Sequence, residues 1–247
     1  LPFRLSAGGE TLSLVGADGV TVLDQVTFAA QAANASEGRA PDGAPTIIRF
    51  PAGQATPGAA NVRELTRVVV SEILSHTDPP YEDAIELQNV STEAVDLGRW
   101  GISDDADTPF KYRLPPGTRL APGAFLVLYE NQFGTGPTGF SLNSYEGDEV
   151  WITAAGTDGQ PTGERAFVRF GPLLNGLAAG RVPTSVGVDF APLQRPTFGV
   201  DAPTSLAQFR TGRGASNAPP ATSDILLAEV FLPASPGATA ATEPFVE

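Results

Sequence analysis

Neither cysteine nor methionine occurs in this sequence, and histidine and lysine occur once each, as His76 and Lys111. Without cysteine there are no disulfides, thiolate metal centres or cysteine nucleophiles, and the redox compartment stays open. A chain without methionine lacks an initiator, so it reads as a mature or excised piece of a longer precursor. No apolar run approaches the roughly 20 residues of a spanning helix, and no basic segment followed by an apolar signal core opens the chain. Positive charge is scarce, with 15 Lys and Arg against 28 Asp and Glu, a formal net charge of −13. That field repels phosphate backbones and anionic lipid, so neither nucleic-acid binding nor membrane insertion is expected.

Glycine (27) and proline (23) are abundant and spread evenly. They break the chain into short apolar stretches at the spacing of an all-β domain and leave little room for long helices. Val68-Val69-Val70 leading into Ile73-Leu74 predicts a buried strand, and Ile85-Glu86-Leu87-Gln88 alternates like a half-buried one. Further strands are expected around Val95 and Leu97, Trp100 and Ile102, Tyr112 and Leu114, Val150 to Ile152, and Phe167 to Phe170. Ala124 to Tyr129 is apolar on both faces, which suits a central strand. Pro116-Gly117 and Pro122-Gly123 predict tight turns, and the strand count predicts a β-sandwich.

The chain also repeats itself. Val70-Ser71-Glu72-Ile73 and Ala84-Ile85-Glu86 return as Leu227-Ala228-Glu229-Val230 and Phe245-Val246-Glu247. Gly9-Glu10, Asp18-Gly19, Gly38-Arg39 and Asn61 reappear as Gly147-Asp148, Asp158-Gly159, Gly180-Arg181 and Asn217. The expected division is the C-terminal part of one repeat (1–62), a complete repeat (63–218) and the N-terminal strands of a third (222–247). Asn217-Ala218-Pro219-Pro220 and the stretch after Asn61 read as linkers. Strand exchange between chains, from the last copy into the first, would leave the equivalent of Leu87 to Thr138 missing, so an excerpt of a longer array is favoured.

The order of Val70-Ser71-Glu72-Ile73-Leu74, Ala84-Ile85-Glu86-Leu87-Gln88-Asn89, Val95-Asp96-Leu97-Gly98-Arg99-Trp100, Leu120-Ala121-Pro122-Gly123-Ala124-Phe125 and Gly147-Asp148-Glu149-Val150 resembles the lamin tail domain, in its tandem bacterial form. The resemblance implies an immunoglobulin-like sandwich. It also implies an accessory or architectural role in a secreted or surface protein. The nuclear role of vertebrate members is not implied, since neither a heptad coiled coil nor a basic localisation run is present.

Among residues that could carry chemistry, Asp104, Asp105 and Asp107 supply hard oxygens of the type Ca²⁺ takes, although without the glycine and closing glutamate of an EF-hand. A solvated turn is the competing reading. Glu72 and Glu86 sit inside strands with no aromatic groove beside them, which argues against glycosidase carboxylates and for structural ion pairs with Arg181, and with Arg39 in the preceding copy. His76 lies in a Pro-rich loop with no nucleophile elbow, and one histidine cannot build a zinc site. Trp100, Trp151, Phe125, Phe140 and Phe167 fall in apolar strand patterns that favour core packing over a sugar platform.

No arranged nucleophile, base and orienter emerges, so an enzyme is not expected. The expected function is a non-catalytic structural or interaction module of a larger extracellular or cell-surface array, with protein partners and no cofactor. The alternative is a carbohydrate- or protein-binding module steadied by Ca²⁺.

Overall fold

The structure is a computed structural model, describing residues 4–45, 47–50, 52–53, 55–221, 230–231 and 245–246. It begins with two hairpins: β1 (Gly9–Val15) with β2 (Val22–Ala29), and β3 (Ser36–Arg39) with β4 (Ile47–Phe50). Then follow β5 (Arg63–Glu64), β6 (Val68–Leu74), β7 (Ala84–Asn89), β8 (Val95–Asp96), β9 (Gly101–Ser103), β10 (Tyr112–Arg113), β11 (Arg119–Leu120), β12 (Phe125–Tyr129) and the single turn α1 (Glu130–Phe133). The remainder comprises β13 (Asp148–Ala155), β14 (Pro161–Phe170), β15 (Ala179–Thr184), β16 (Gly187–Pro192), α2 (Leu206–Phe209), β17 (Val230–Phe231) and β18 (Phe245–Val246).

The middle of the chain is an immunoglobulin-like β-sandwich. One sheet has the order β10-β9-β13-β14-β5 and the other β12-β7-β6-β15-β16, with β8 and β11 forming a small flap. Between the sheets, Val68, Val70, Ile73, Ile85, Leu87 and Leu128 meet Ile102, Val150, Ile152 and Phe170, while Trp100 and Leu97 close one end. Inward positions alternate along each strand, so the period-2 pattern of the sequence becomes one apolar layer. Gly101 makes room at the sheet edge, because a Cβ there would lie 2.2 Å from the Pro109 carbonyl.

Three readings need correction. β12 is an edge strand, not a central one. Its second apolar face is explained by a layer of chain laid over it, since Val127 and Tyr129 pack outward against Phe198 and Phe209. The same layer buries Glu86, so β7 is covered on both faces rather than half-buried. The segments read as linkers are also part of the sandwich. Arg63-Glu64 pairs in parallel with Glu164-Arg165, Leu65 is buried, and Pro220 bridges to Leu193.

Local geometry recurs at the positions the sequence echoes. Gly16 N donates to Thr21 O at 2.7 Å and Gly156 N to Gln160 O at 2.8 Å, closing the β1–β2 and β13–β14 turns alike. Leu12 faces Val26 as Val150 faces Val168. A Cβ on Gly38 would meet the Asn61 amide at 2.8 Å, and one on Gly180 the Asn217 amide at 2.6 Å. Val230 faces Val246, the register of Ile73 against Ile85. Glu229 and Glu247 lie outside the described residues.

The hairpins differ in what covers them. Ile152 is fully buried, whereas its counterpart Leu14 is 63% exposed. Ile152→Ala should therefore destabilise by about 3 kcal/mol, and Leu14→Ala by less than about 0.5 kcal/mol, in denaturant titrations of this chain. Equal costs would contradict the difference in packing.

Candidate functional site

The outer face of the β12-β7-β6-β15-β16 sheet concentrates the buried chemistry. β6 must turn both Val70 and Ile73 to the core, three positions apart, which an uninterrupted strand cannot do. A bulge at Ser71 resolves the conflict: Val70 pairs with Leu87, Glu72 with Glu86 and Ile73 with Ile85. Ser71 and Glu72 then both leave the core side. Asn217 fills the bulge by donating its amide to Ser71 O at 2.9 Å and Arg181 O at 3.0 Å, while the Ser71 hydroxyl donates to Asn217 Oδ1 at 3.2 Å.

Residues 194–217 return across this face as a strap. Thr197 donates its backbone N–H to Glu72 Oε1 at 2.8 Å and its hydroxyl to Glu72 Oε2. Ala215 N donates to Glu86 Oε2 at 3.2 Å. Phe198 and Phe209 pack on Tyr129 and Leu74, and the Tyr129 hydroxyl lies 2.9 Å from Phe209 O, to which it donates. Arg210 grips Glu82 with a bidentate pair at 2.5 and 2.7 Å.

Glu72 and Glu86 are both fully buried. Burial pushes Glu72 up to about 7 against the Thr197 bonds that lower it. Burial, and then the neighbouring Glu72, push Glu86 up to about 8. Burial and Glu130 raise Asp83, beside β7, to about 7. Tyr129 rises to about 12 through burial.

The expected pairing of these glutamates with arginine is not made. Strap amides and the Thr197 hydroxyl take the places the guanidinium was expected to fill. Arg39 instead pairs with Asp24 at 2.8 Å and donates to Ala44 O. Arg181, half-buried, is shifted down by desolvation.

The aspartate loop is not a cation cage either. Lys111 sits in it, 2.7 Å from Asp104 Oδ1 and 4.0 Å from Asp105 Oδ2. Asp105 turns inward to accept Asp107 N at 2.8 Å, and this bond is the main reason its carboxyl is held below the usual range. Among the described residues, no group of three or more His, Asp or Glu converges as a metal site. His76 is tied to the Leu173 carbonyl at 2.9 Å.

The aromatic residues divide. Trp100 and Phe140 are core residues. Trp151 and Phe167, opposite each other on β13 and β14, stack with centroids 4.4 Å apart on the outer face, and Phe167 is 49% exposed. Arg165 and Arg169, two residues either side of Phe167, lie against Trp151 and Phe167 respectively, and Glu149 binds both Arg169 and the Trp151 indole N–H. This ladder flanks a groove of about 550 Å³ that Val69, Val90, Val168 and Arg181 help to line.

Residues 61–165 match the family model of the Lamin Tail Domain. Over these residues the chain is similar to a lamin tail domain. No curated protein and no solved structure matches the chain. Lamin tail domains are immunoglobulin-like, non-catalytic modules of structure and interaction; the carboxylates here bind the chain's own backbone. The match stops at Arg165. β15, β16 and the strap, which supply Thr197, Ala215 and Asn217, lie beyond it.

Sequence reasoning missed Thr197 and Ala215, and marked Asn217 only as the echo of Asn61. The one available signal was the Val70-Ser71-Glu72-Ile73 spacing, in which an i, i+3 apolar pair within a strand requires a bulge. The ion pair in the aspartate loop has a simple test. Lys111→Met leaves the enclosed Asp104 Oδ1 without a partner and should destabilise the domain by about 1–3 kcal/mol by thermal or urea unfolding. An unchanged midpoint would mean that the contact is idle.

Proposed function

We propose that this chain is a section of a tandem lamin-tail array, acting as a non-catalytic spacer, display or assembly element of an extracellular or cell-surface protein. The observation that carries this reading is the recurrence of one constellation. A strand glycine is pressed against an asparagine amide at Gly38 and Asn61, and again at Gly180 and Asn217. Each time an antiparallel hairpin precedes it, closed by a bond from a turn glycine, Gly16 or Gly156, and with Leu12 facing Val26 as Val150 faces Val168.

A spacer needs defined joints between units, and the close approach at Gly163 supports one. Gly163, at φ +84°, lies under Ala40-Pro41, where a Cβ would come within 2.9 Å of both residues' backbone. Residues 4–61 thus seat on a bulge of β14, whose register slips between Thr153 and Ala155 of its partner β13. Gly163→Val should loosen that seat. The expected result is a larger radius of gyration and a broader distance distribution in small-angle scattering. An unchanged scattering profile from the folded variant would remove the joint from the reading. Intact mass of the native protein, together with surface-protease accessibility on whole cells, tests the array and its location. A native mass near 25.6 kDa would overturn the array.

A second reading, a protein-binding surface at the Trp151–Phe167 groove, is favoured by the exposed apolar Val90 and Phe167 there. Carbohydrate is a weaker fit to the same groove, because arginines already occupy the flanks of the aromatic pair where a sugar would stack. A Ca²⁺ titration followed by melting temperature tests the calcium-steadied form, which requires a rise.

A further inference from the structure

Glu72 and Glu86 stand directly opposite each other on β6 and β7, fully buried under the strap. Cross-strand partners in a sheet have Cβ atoms about 5 Å apart, so two ionised carboxylates here would repel strongly in a dry environment. Hydrogen bonds from three donors reach their four oxygens, and the Ser71 hydroxyl, which donates to Asn217 Oδ1, lies close enough to Glu86 to lower its carboxyl. Thr197 N and the Thr197 hydroxyl serve Glu72, Ala215 N serves Glu86 Oε2, and Glu86 Oε1 is enclosed without a hydrogen-bond partner.

Arg195 acts on Glu72 only at a distance, lowering its carboxyl less than burial and the Thr197 bonds shift it. Among the described residues, neither glutamate forms an ion pair with an arginine or with Lys111. The charged and titratable groups around the pair are Arg195 and Arg213 from the strap, Arg181 from β15, Tyr129 from β12, and Glu82 ahead of β7. Of these, Arg195 is bound to Asp201 at 2.8 Å with its side chain 61% exposed, and Glu82 is held by Arg210.

We propose that Glu72 and Glu86 share one proton, and that this proton fastens the strap to the sheet, so that ionising both carboxylates releases residues 194–217 from the outer face. The proton supplies the donor that the geometry lacks and removes one of two like charges. It also leaves one carboxylate charged to accept the strap amides. Release would free the segment carrying Asn217, and with it the filling of the Ser71 bulge.

The direction with pH follows from proton uptake on folding. Both carboxyls are raised above their ordinary value of 4.5 in the folded chain, by burial and, for Glu86, also by Glu72, and the last proton leaves the pair at about 8. The folded state therefore holds protons that the unfolded chain gives up above about 4.5. The stability this contributes is fully present below about 4.5, declines as pH rises and is lost as pH passes through about 8.

Hydrogen exchange of the Thr197 and Ala215 amides, corrected for intrinsic rates, reads the strap directly at about pH 6 and about pH 9. The wild-type chain should lose protection there by roughly tenfold or more at the higher pH, while β13 and β14 keep theirs. Glu86→Gln, which keeps the shape and removes one charge, should retain strap protection at both. Strap protection independent of pH in the wild type, or lost equally in Glu86→Gln, would overturn the proposal. If the glutamine variant does not fold, an Asp83→Asn background isolates the pair by infrared spectroscopy. A protonated-carboxyl band that fades as pH rises supports the shared proton, and its absence near neutrality overturns it.

Discussion

The sandwich depends on the conflict within β6 between a strand's two-residue period and the three-residue interval from Val70 to Ile73. The bulge at Ser71 satisfies both residues, at the expense of an unpaired carbonyl and of two polar side chains turned to the opposite face. Much of the rest is a response to that. Asn217 repairs the carbonyl, Thr197 and Ala215 bind the glutamates, and Phe198 and Phe209 cover the apolar residues between them. A sheet with both faces buried needs a third layer, and the strap is that layer.

The cover also explains how an all-β domain tolerates edge strand β12. Unpaired strand edges invite other chains. Here α2 and the turn after it lie against the strand, with the Tyr129 hydroxyl 2.9 Å from the Phe209 carbonyl and 3.2 Å from that of Gly212. Gly212 passes so close that a Cβ would lie 2.2 Å from Phe198 O. The leading hairpins have no equivalent of this cover among the described residues, which is consistent with the exposure of Leu14 and Leu23.

Charge is handled locally despite the strong acidic excess. Exposed carboxylates accept backbone N–H groups in turns, as Asp18 does from Val20 and Thr21 and Asp158 from Gln160. Half-buried Asp104 and buried Glu82 are matched by cations, Lys111 and Arg210 respectively. The deepest pair, Glu72 and Glu86, is met by neutral donors. Desolvation at that depth favours the protonated form over a second buried ion.

The sequence by itself determined the strands at Val68–Leu74 and Ala84–Asn89 and the turns at Gly117 and Gly123, both at positive φ. It also carried the family and the sandwich, because periodicity and turn chemistry are local properties of the chain. It singled out Glu72 and Glu86 and misassigned their partners. Which layer covers a sheet, and whether Lys111 or a cation meets the aspartates, is decided by contacts between segments far apart in the chain. Thr197 reaches Glu72 across 125 residues, and Asn217 reaches Ser71 across 146. Only the tertiary structure brings those segments together, since nothing in a strand's own period encodes what packs on its outer face.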